Sequence, residues 1–262
     1  MAPDAAQAAQ PSAPVPAPAP IREKVRVRFR KGGDLRLVSH HDLMRTFERM
    51  LRRASLPFRS TEGFHPKPRF VFALSLSLGI VGCEEVVELE LAEAIPPDEI
   101  HARLAATTVP GLDILSVRRV ESRKAPQVRR VTYRVPLPPG REAGLAERVA
   151  ALLASSACPI ERTRPEAKQI DLRPYIDQIR LLPGALDMDL WVKPSGMARP
   201  DEILGLLGLQ DVIEAGAVIE RTRLQLEDET TTPGSVHVPV PVPVPDSESG
   251  TGTGTGTCTG RE

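Results

Sequence analysis

Flat side chains are scarce in this chain: six Phe, two Tyr and one Trp among 262 residues. So few aromatic faces exclude a surface that works mainly by stacking bases. Cysteines are also few and scattered, at 83, 158 and 258. Their odd number argues against a disulfide framework, and their spacing offers no CxxC-type clip for zinc or an iron–sulfur cluster. No apolar run nears the roughly 20 residues that cross a bilayer. The opening MAPDAAQAAQPSAPVPAPAP has no basic start and no unbroken apolar stretch, unlike a secretory signal. A soluble, cytoplasmic protein without membrane contact is expected.

What the chain has in excess is proline and glycine, 27 and 19 residues, more than one compact core accommodates. Residues 1–20 read as a disordered Pro/Ala-rich arm with polyproline-like character. Residues 229–262, with VPVPVPVP and TGTGTGTCTG, read as a second disordered tail. Alternate prolines lack the donors of a strand, and Thr-Gly repeats bury nothing.

The remaining residues divide near Ala125-Pro126. In 21–124, Lys24–Arg30 alternates base and apolar as a half-buried strand. A turn at 31–34 and a short return strand at 35–38 follow. Ser39 stands as N-cap, with Asp42 three residues on, before a helix over 40–54. Its apolar stripe is Leu43, Met44, Phe47, Met50, Leu51 and Ala54. Strands over 69–78 and 84–91 make a hairpin around a turn at 79–82. A helix over 97–107, opening with Pro97 and two acids, and a strand over 112–120 close the unit. The order βαββαβ is the ferredoxin-like split motif. Residues 125–228 repeat it with strand 128–137, helix 141–155, strand 159–164, an irregular insertion at 165–183, strand 186–193, helix 200–207 and strand 217–227. The expected fold is therefore α+β, two tandem ferredoxin-like units between disordered tails.

Charge balances at 34 bases and 34 acids but is segregated. Residues 21–80 carry 14 Lys/Arg against 5 Asp/Glu, whereas 81–117 carry 1 against 8. Arg45, Arg49, Arg52 and Arg53 lie opposite the apolar stripe of helix 40–54, with His41 one turn before Arg45. Such an array can neutralise several phosphates with strongly salt-dependent binding. The competing reading is a solvated face partly paired with Glu48.

Two strings carry a resemblance. Gly33-Asp34-Leu35-Arg36-Leu37-Val38-Ser39-His40-His41-Asp42-Leu43-Met44-Arg45 and Ser60-Thr61-Glu62-Gly63-Phe64-His65-Pro66-Lys67-Pro68-Arg69 resemble the radical-SAM-linked protein family, domain of unknown function 2344. Lys168-Gln169-Ile170-Asp171-Leu172-Arg173-Pro174-Tyr175-Ile176 looks like a third family motif. The resemblance covers about 22–228. Two places depart from the usual pattern: His41 stands where the family commonly has Leu, and Gly-Phe-His-Pro-Lys-Pro replaces Gly-Phe-Asn-Pro-His-Pro. Family members accompany a radical SAM protein, fused or separate, often beside translation-linked genes. That implies a radical SAM protein as partner and RNA as a further one. The Cys-x3-Cys-x2-Cys cluster motif is absent here, so SAM and an iron–sulfur cluster are expected in the partner only, with no cofactor and no metal bound by this chain.

Three constellations are candidate sites. Ser39, His40 and Asp42 form a helix amino-terminus, whose free N–H groups and positive dipole end favour anions and the neutral form of His40. The alternative is plain capping. In the loop, Gly63 permits a positive φ and Pro66 and Pro68 stiffen the return, so Glu62, His65 and Lys67 project, Arg69 follows, and Phe64 serves as buried anchor. Leaning over helix 40–54, this loop would bring His40, Glu62 and His65 into an acid–base or metal-like cluster, or, with Lys67 and Arg69, into a specific anion or RNA contact. Asp171 and Arg173, two apart on an extended segment, point to one side beside Tyr175, either as an RNA contact or as a lock on the insertion. Trp191 reads as a contact between the two units. The expected function is an RNA-binding accessory protein that presents substrate to a radical SAM enzyme. Arg45, Arg49, Arg52 and Arg53 would steer phosphate. Lys67, Arg69, Asp171, Arg173 and Tyr175 would supply further contacts. The alternatives are a metal-independent endoribonuclease with His40 as general base, and a structural adaptor.

Overall fold

The computed structural model describes residues 23–62, 64, 66–122, 124–163 and 167–229; the Pro/Ala-rich arm and residues 230–262 lie outside the described residues. A mixed α+β architecture rests on one eight-stranded sheet with few helices. The first strand, β1 (Glu23–Lys31), places Val25, Val27 and Phe29 on one face with no solvent exposure. Against them α1 (His40–Arg53) buries Leu43, Phe47, Met50 and Leu51. β2 (Phe70–Phe72) and β3 (Val81–Leu91) follow, then α2 (Pro97–Ala105), which adds Ile100 and Leu104 to the same core, and β4 (Leu112–Arg119). These strands lie in the order β4-β1-β3-β2, all antiparallel.

The second half runs β5 (Val128–Pro136), α3 (Leu145–Ala154), β6 (Pro159–Arg162), β7 (Lys168–Asp171), β8 (Ile176–Leu182), β9 (Ala185–Trp191), α4 (Pro200–Leu206), α5 (Gln210–Glu214) and β10 (Glu220–Leu226). In the main sheet its order is β10-β5-β9-β8, again antiparallel. Among the described residues β6 and β7 pair only with each other. The halves join where β10 runs parallel to β3, through Glu220↔Val81 and Arg221↔Gly82. Paired residues in adjacent strands point to one face. Glu85 pairs with Phe29 and Arg221 with Tyr133, so both charged side chains lie on the face that carries the helices. The opposite face has no helix against it among the described residues. No helix among them is long and apolar enough to cross a membrane.

Four segments differ from the sequence reading. Residues 33–37 form a 3-10 turn, not a return strand; Val38 caps it, and its carbonyl accepts from the Lys31 ammonium at 2.8 Å. The strand over 69–78 stops at Phe72: the Ala73 N–H still reaches the Val86 carbonyl at 2.9 Å, and further along that edge of β3 it is β10 that pairs, at Val81 and Gly82. The chain at 74–75 instead gives its carbonyls to Arg221, at 3.5 Å from Leu74 and 3.1 Å from Ser75. The segment at 159–164 leaves the main sheet for the β6–β7 ribbon, and the edge strand is β8, inside the stretch read as irregular. Glu229, assigned to the tail, is held by Arg28 and Arg118.

Candidate nucleic-acid interface

α1 begins as its sequence requires. The Ser39 hydroxyl accepts from the Asp42 N–H at 3.2 Å and donates to the Asp42 carboxylate at 2.8 Å. That bond, before any effect of Arg45, holds the Asp42 carboxyl below its usual range. Along the outer face, Arg45 meets Asp42 at 3.3 Å, both exposed, and the exposed Arg52 meets the half-buried Glu48 at 3.1 Å. Surface pairs of this kind hold an arginine weakly. Arg49 and Arg53 have no carboxylate partner among the described residues; Arg49 reaches only the Thr46 hydroxyl, at 3.5 Å. Both line a groove of about 230 Å³ with Thr46, Met50, Thr107 and Val109. Met44, placed on the apolar stripe by its spacing, is exposed.

The proline loop is closed at its base like a hairpin. Ser60 bridges Pro68, the Thr61 N–H donates to the Lys67 carbonyl at 2.8 Å, and the Lys67 N–H returns to the Thr61 hydroxyl at 3.1 Å. Arg52 donates to the Pro66 carbonyl at 3.1 Å, so the loop lands on the carboxy-terminal end of α1. His40 is twelve residues back, roughly 18 Å along the axis at 1.5 Å per residue. The expected cluster of His40 with Glu62 therefore does not form, and Gly63 and His65 lie outside the described residues. Phe64 is fully exposed, not a buried anchor. Glu62 and Lys67 are exposed beside it. Arg69 is half-buried and turns to a separate cleft of about 360 Å³ with Lys24, Glu88 and Glu90.

His40 stacks edge-on against Phe72, ring centroids 5.2 Å apart. Burial lowers its pKa, and Lys31 and Arg221 lower it further. The third motif is consumed by internal bonds. Asp171 accepts from the N–H groups of Cys158 at 2.7 Å and Arg173 at 3.0 Å. The Arg173 guanidinium donates to the carbonyls of Leu153 (2.9 Å), Ser155 (3.2 Å) and Ile176 (2.9 Å), satisfying the end of α3. Tyr175 is buried with its hydroxyl on Ser195 at 3.0 Å. These three residues lock the insertion to the second half, and we leave them out of the interface. Trp191 lies under Arg129 and Arg130, 5.4 and 5.5 Å from its ring, in β9, with β5 between it and the seam. It is not a contact between the halves.

A family model described as "Uncharacterized protein conserved in bacteria (DUF2344)" matches residues 24–200. The chain belongs to this family. Among solved structures, the crystal structure of an unknown protein from Galdieria sulphuraria is 20% identical, covering 79% of this chain and 99% of that one, with a TM-score of 0.25. No curated protein matches.

The matched span of this DUF2344 protein stops before β10, and β10 supplies a cluster that the sequence reading missed. Arg221, 1% exposed, grips the Glu85 carboxylate with Nε at 2.8 Å and Nη2 closer still. Lys31 is wholly buried nearby; burial lowers its pKa, with Glu85 opposing and Arg221 adding to the shift. The sequence held a signal for this group. Lys31 is in phase with Val25, Val27 and Phe29, and Glu85 with Val87, Leu89 and Leu91, so each strand points one charge inward.

Proposed function

We propose that this protein is an RNA-binding accessory component of a radical SAM enzyme, cytoplasmic, and built from two tandem ferredoxin-like units. Each half places its four main strands in the order fourth, first, third, second, with its helices on one side, and β6–β7 is an excursion between α3 and β8. The partner, with its SAM and iron–sulfur cluster, rests on the family resemblance. The RNA reading is carried by Arg49 and Arg53, one helical turn apart, without carboxylate partners among the described residues, on the rim of a groove lined by Met50 and Val109. Arg45 and Arg52 extend the row, and exposed Phe64 and Lys67 flank its far end. A strand laid along α1 would meet phosphate donors in series and one aromatic face for a base.

The experiment is an anisotropy titration of tRNA and rRNA fragments across salt, comparing wild type with Arg49→Glu/Arg53→Glu after circular dichroism confirms the fold. Wild type should bind with a steep salt slope. The variant should bind at least about tenfold more weakly, its slope reduced by roughly 1.4 for two lost single-strand phosphate contacts. No binding by wild type at low salt would overturn the RNA reading and leave the arginines as a protein-docking face. Co-elution with the radical SAM protein tests the partner separately. An endoribonuclease using His40 as general base is the alternative, and cleavage abolished in His40→Ala at unchanged RNA affinity would select it. The geometry favours the accessory role, since Glu62 sits at the other end of α1.

A further inference from the structure

Alternate residues of β1 point away from the helices, and on that open face Arg26 and Arg28 meet acids from the turn that follows β10. Arg26, 1% exposed, uses Nε and Nη2 on Glu88, at 2.9 and 2.6 Å, and gives Nη1 and Nη2 to the two oxygens of Asp228, at 2.9 and 2.7 Å. Arg28 and Arg118 take opposite oxygens of Glu229, each at 2.6 Å. Arg118 lies on β4 directly beside Arg26 in register. Three guanidiniums from two strands thus converge on two carboxylates of one short turn. The turn's hold on the sheet is mostly these ion pairs, with one backbone bond at its start, Glu227 N–H to the Gln127 carbonyl at 2.9 Å. Its closing bonds are long, Glu229 N–H to the Leu226 carbonyl at 3.4 Å and Leu226 N–H to the Glu229 carboxylate at 3.5 Å.

We propose that Arg26, Arg28 and Arg118 form a second phosphodiester site, on the open face of the sheet, closed by the protein's own Asp228 and Glu229 until a nucleic-acid strand displaces them. A phosphodiester, like the Glu229 carboxylate, offers two charged oxygens that two arginines can take separately. With the turn lifted, Arg28 keeps the Leu224 carbonyl at 3.4 Å and, among the carboxylates of the described residues, only Glu84 at 3.7 Å; Arg118 loses its carboxylate, and Arg26 retains Glu88. The patch then carries excess positive charge. The internal acids are tethered, equivalent to millimolar or higher concentration, so one phosphate competes poorly and a polymer with many competes well. The ligand class rests on the RNA reading above, but the residues are separate from the α1 face.

The test is Asp228→Asn/Glu229→Gln, which keeps size and removes charge, made both in wild type and in Arg49→Glu/Arg53→Glu. Binding of a labelled single-stranded RNA is followed against salt, with circular dichroism as the fold check. The expected result in both backgrounds is several-fold tighter binding and a slope steeper by roughly 1.4 for two freed contacts. Adding Arg28→Gln/Arg118→Gln should erase the gain. No gain in either background, or a gain that survives loss of the arginines, overturns the site. Because the α1-reversed background reads the open face alone, failure of the α1 reading stays distinct from failure of this one. An equal gain for poly-glutamate, or saturation by inorganic phosphate as tight as by RNA, overturns the nucleic-acid assignment. If the double variant does not fold, Glu229→Gln alone, which frees both Arg28 and Arg118, carries the same expectations with the same slope change.

Discussion

Glu85 is the carboxylate on which the buried Arg221 closes, with buried Lys31 nearby. Removing one partner of a buried pair leaves an uncompensated charge in the interior, which costs about 3–5 kcal/mol. Glu85→Gln should therefore destabilise the protein by about that much in urea unfolding, whereas loss of an exposed carboxylate such as Glu99 should cost under about 1 kcal/mol. His40, beside the same cluster, gives a pH signature. Its folded pKa lies below 6.5, through burial first and then Lys31 and Arg221, so the unfolded chain takes up the proton earlier as pH falls. Stability from this residue should fall as pH drops through the ordinary histidine range. The carboxyls held low, those of Asp42, Asp171, Asp228 and Glu229, add losses only at lower pH, within the carboxylate range. Unfolding free energy measured at pH 7 and pH 5.5 should thus drop in wild type, and the drop should shrink in His40→Asn.

At the scale of elements, β3 is the strand on which the two halves depend, and Gly82 is its tightest point. A Cβ on Gly82 would stand 2.5 Å from Cγ of Glu85, whose carboxylate is held by Arg221 and cannot swing away freely. Gly82→Ala should cost about 1–3 kcal/mol, the range for overpacking, and the loss should be smaller in a Glu85→Ala background. Unchanged urea midpoints would show that Glu85 moves without penalty. The same strand explains what the sequence reveals and conceals. Alternation in β1 and the stripe of α1 are local, so both elements and the arginine row were legible. The alternation in 73–78 is equally clear, yet no strand forms beyond Phe72, and the Val81–Gly82 end of that edge is taken by a segment almost 150 residues later. β8 was hidden because the chain between α3 and β9 first makes the β6–β7 ribbon. The loop at 60–68 was legible as rigid, but its landing at Arg52, and the exposure of Phe64, are tertiary facts without a local signal.

For the molecule as a whole, the question is whether two similar halves make two folding units. Their direct strand pairing is short, two residues of parallel register, with one more bond from the Val81 N–H to the Ile219 carbonyl at 3.0 Å. Side chains couple them more deeply. Leu76, Ile80 and Val86 belong to the first half by sequence but pack in the core of the second. Arg221 crosses the other way to Glu85, and Asp228 and Glu229 close over β1 and β4. Unfolding either half alone would expose those three aliphatic residues and strand one buried charge on each side. Each of these penalties is comparable to a sizeable part of a domain's net stability of about 5–15 kcal/mol. Residues 23–229 should therefore unfold in one transition, with circular dichroism and Trp191 fluorescence, which reports on the second half, giving the same urea midpoint. Two separated midpoints would mean that the seam yields first. Arg221→Met/Glu85→Leu, which replaces the charged pair with apolar volume, then separates the causes: it should preserve the single transition if packing of Leu76, Ile80 and Val86 does the coupling, and split it if the ion pair does.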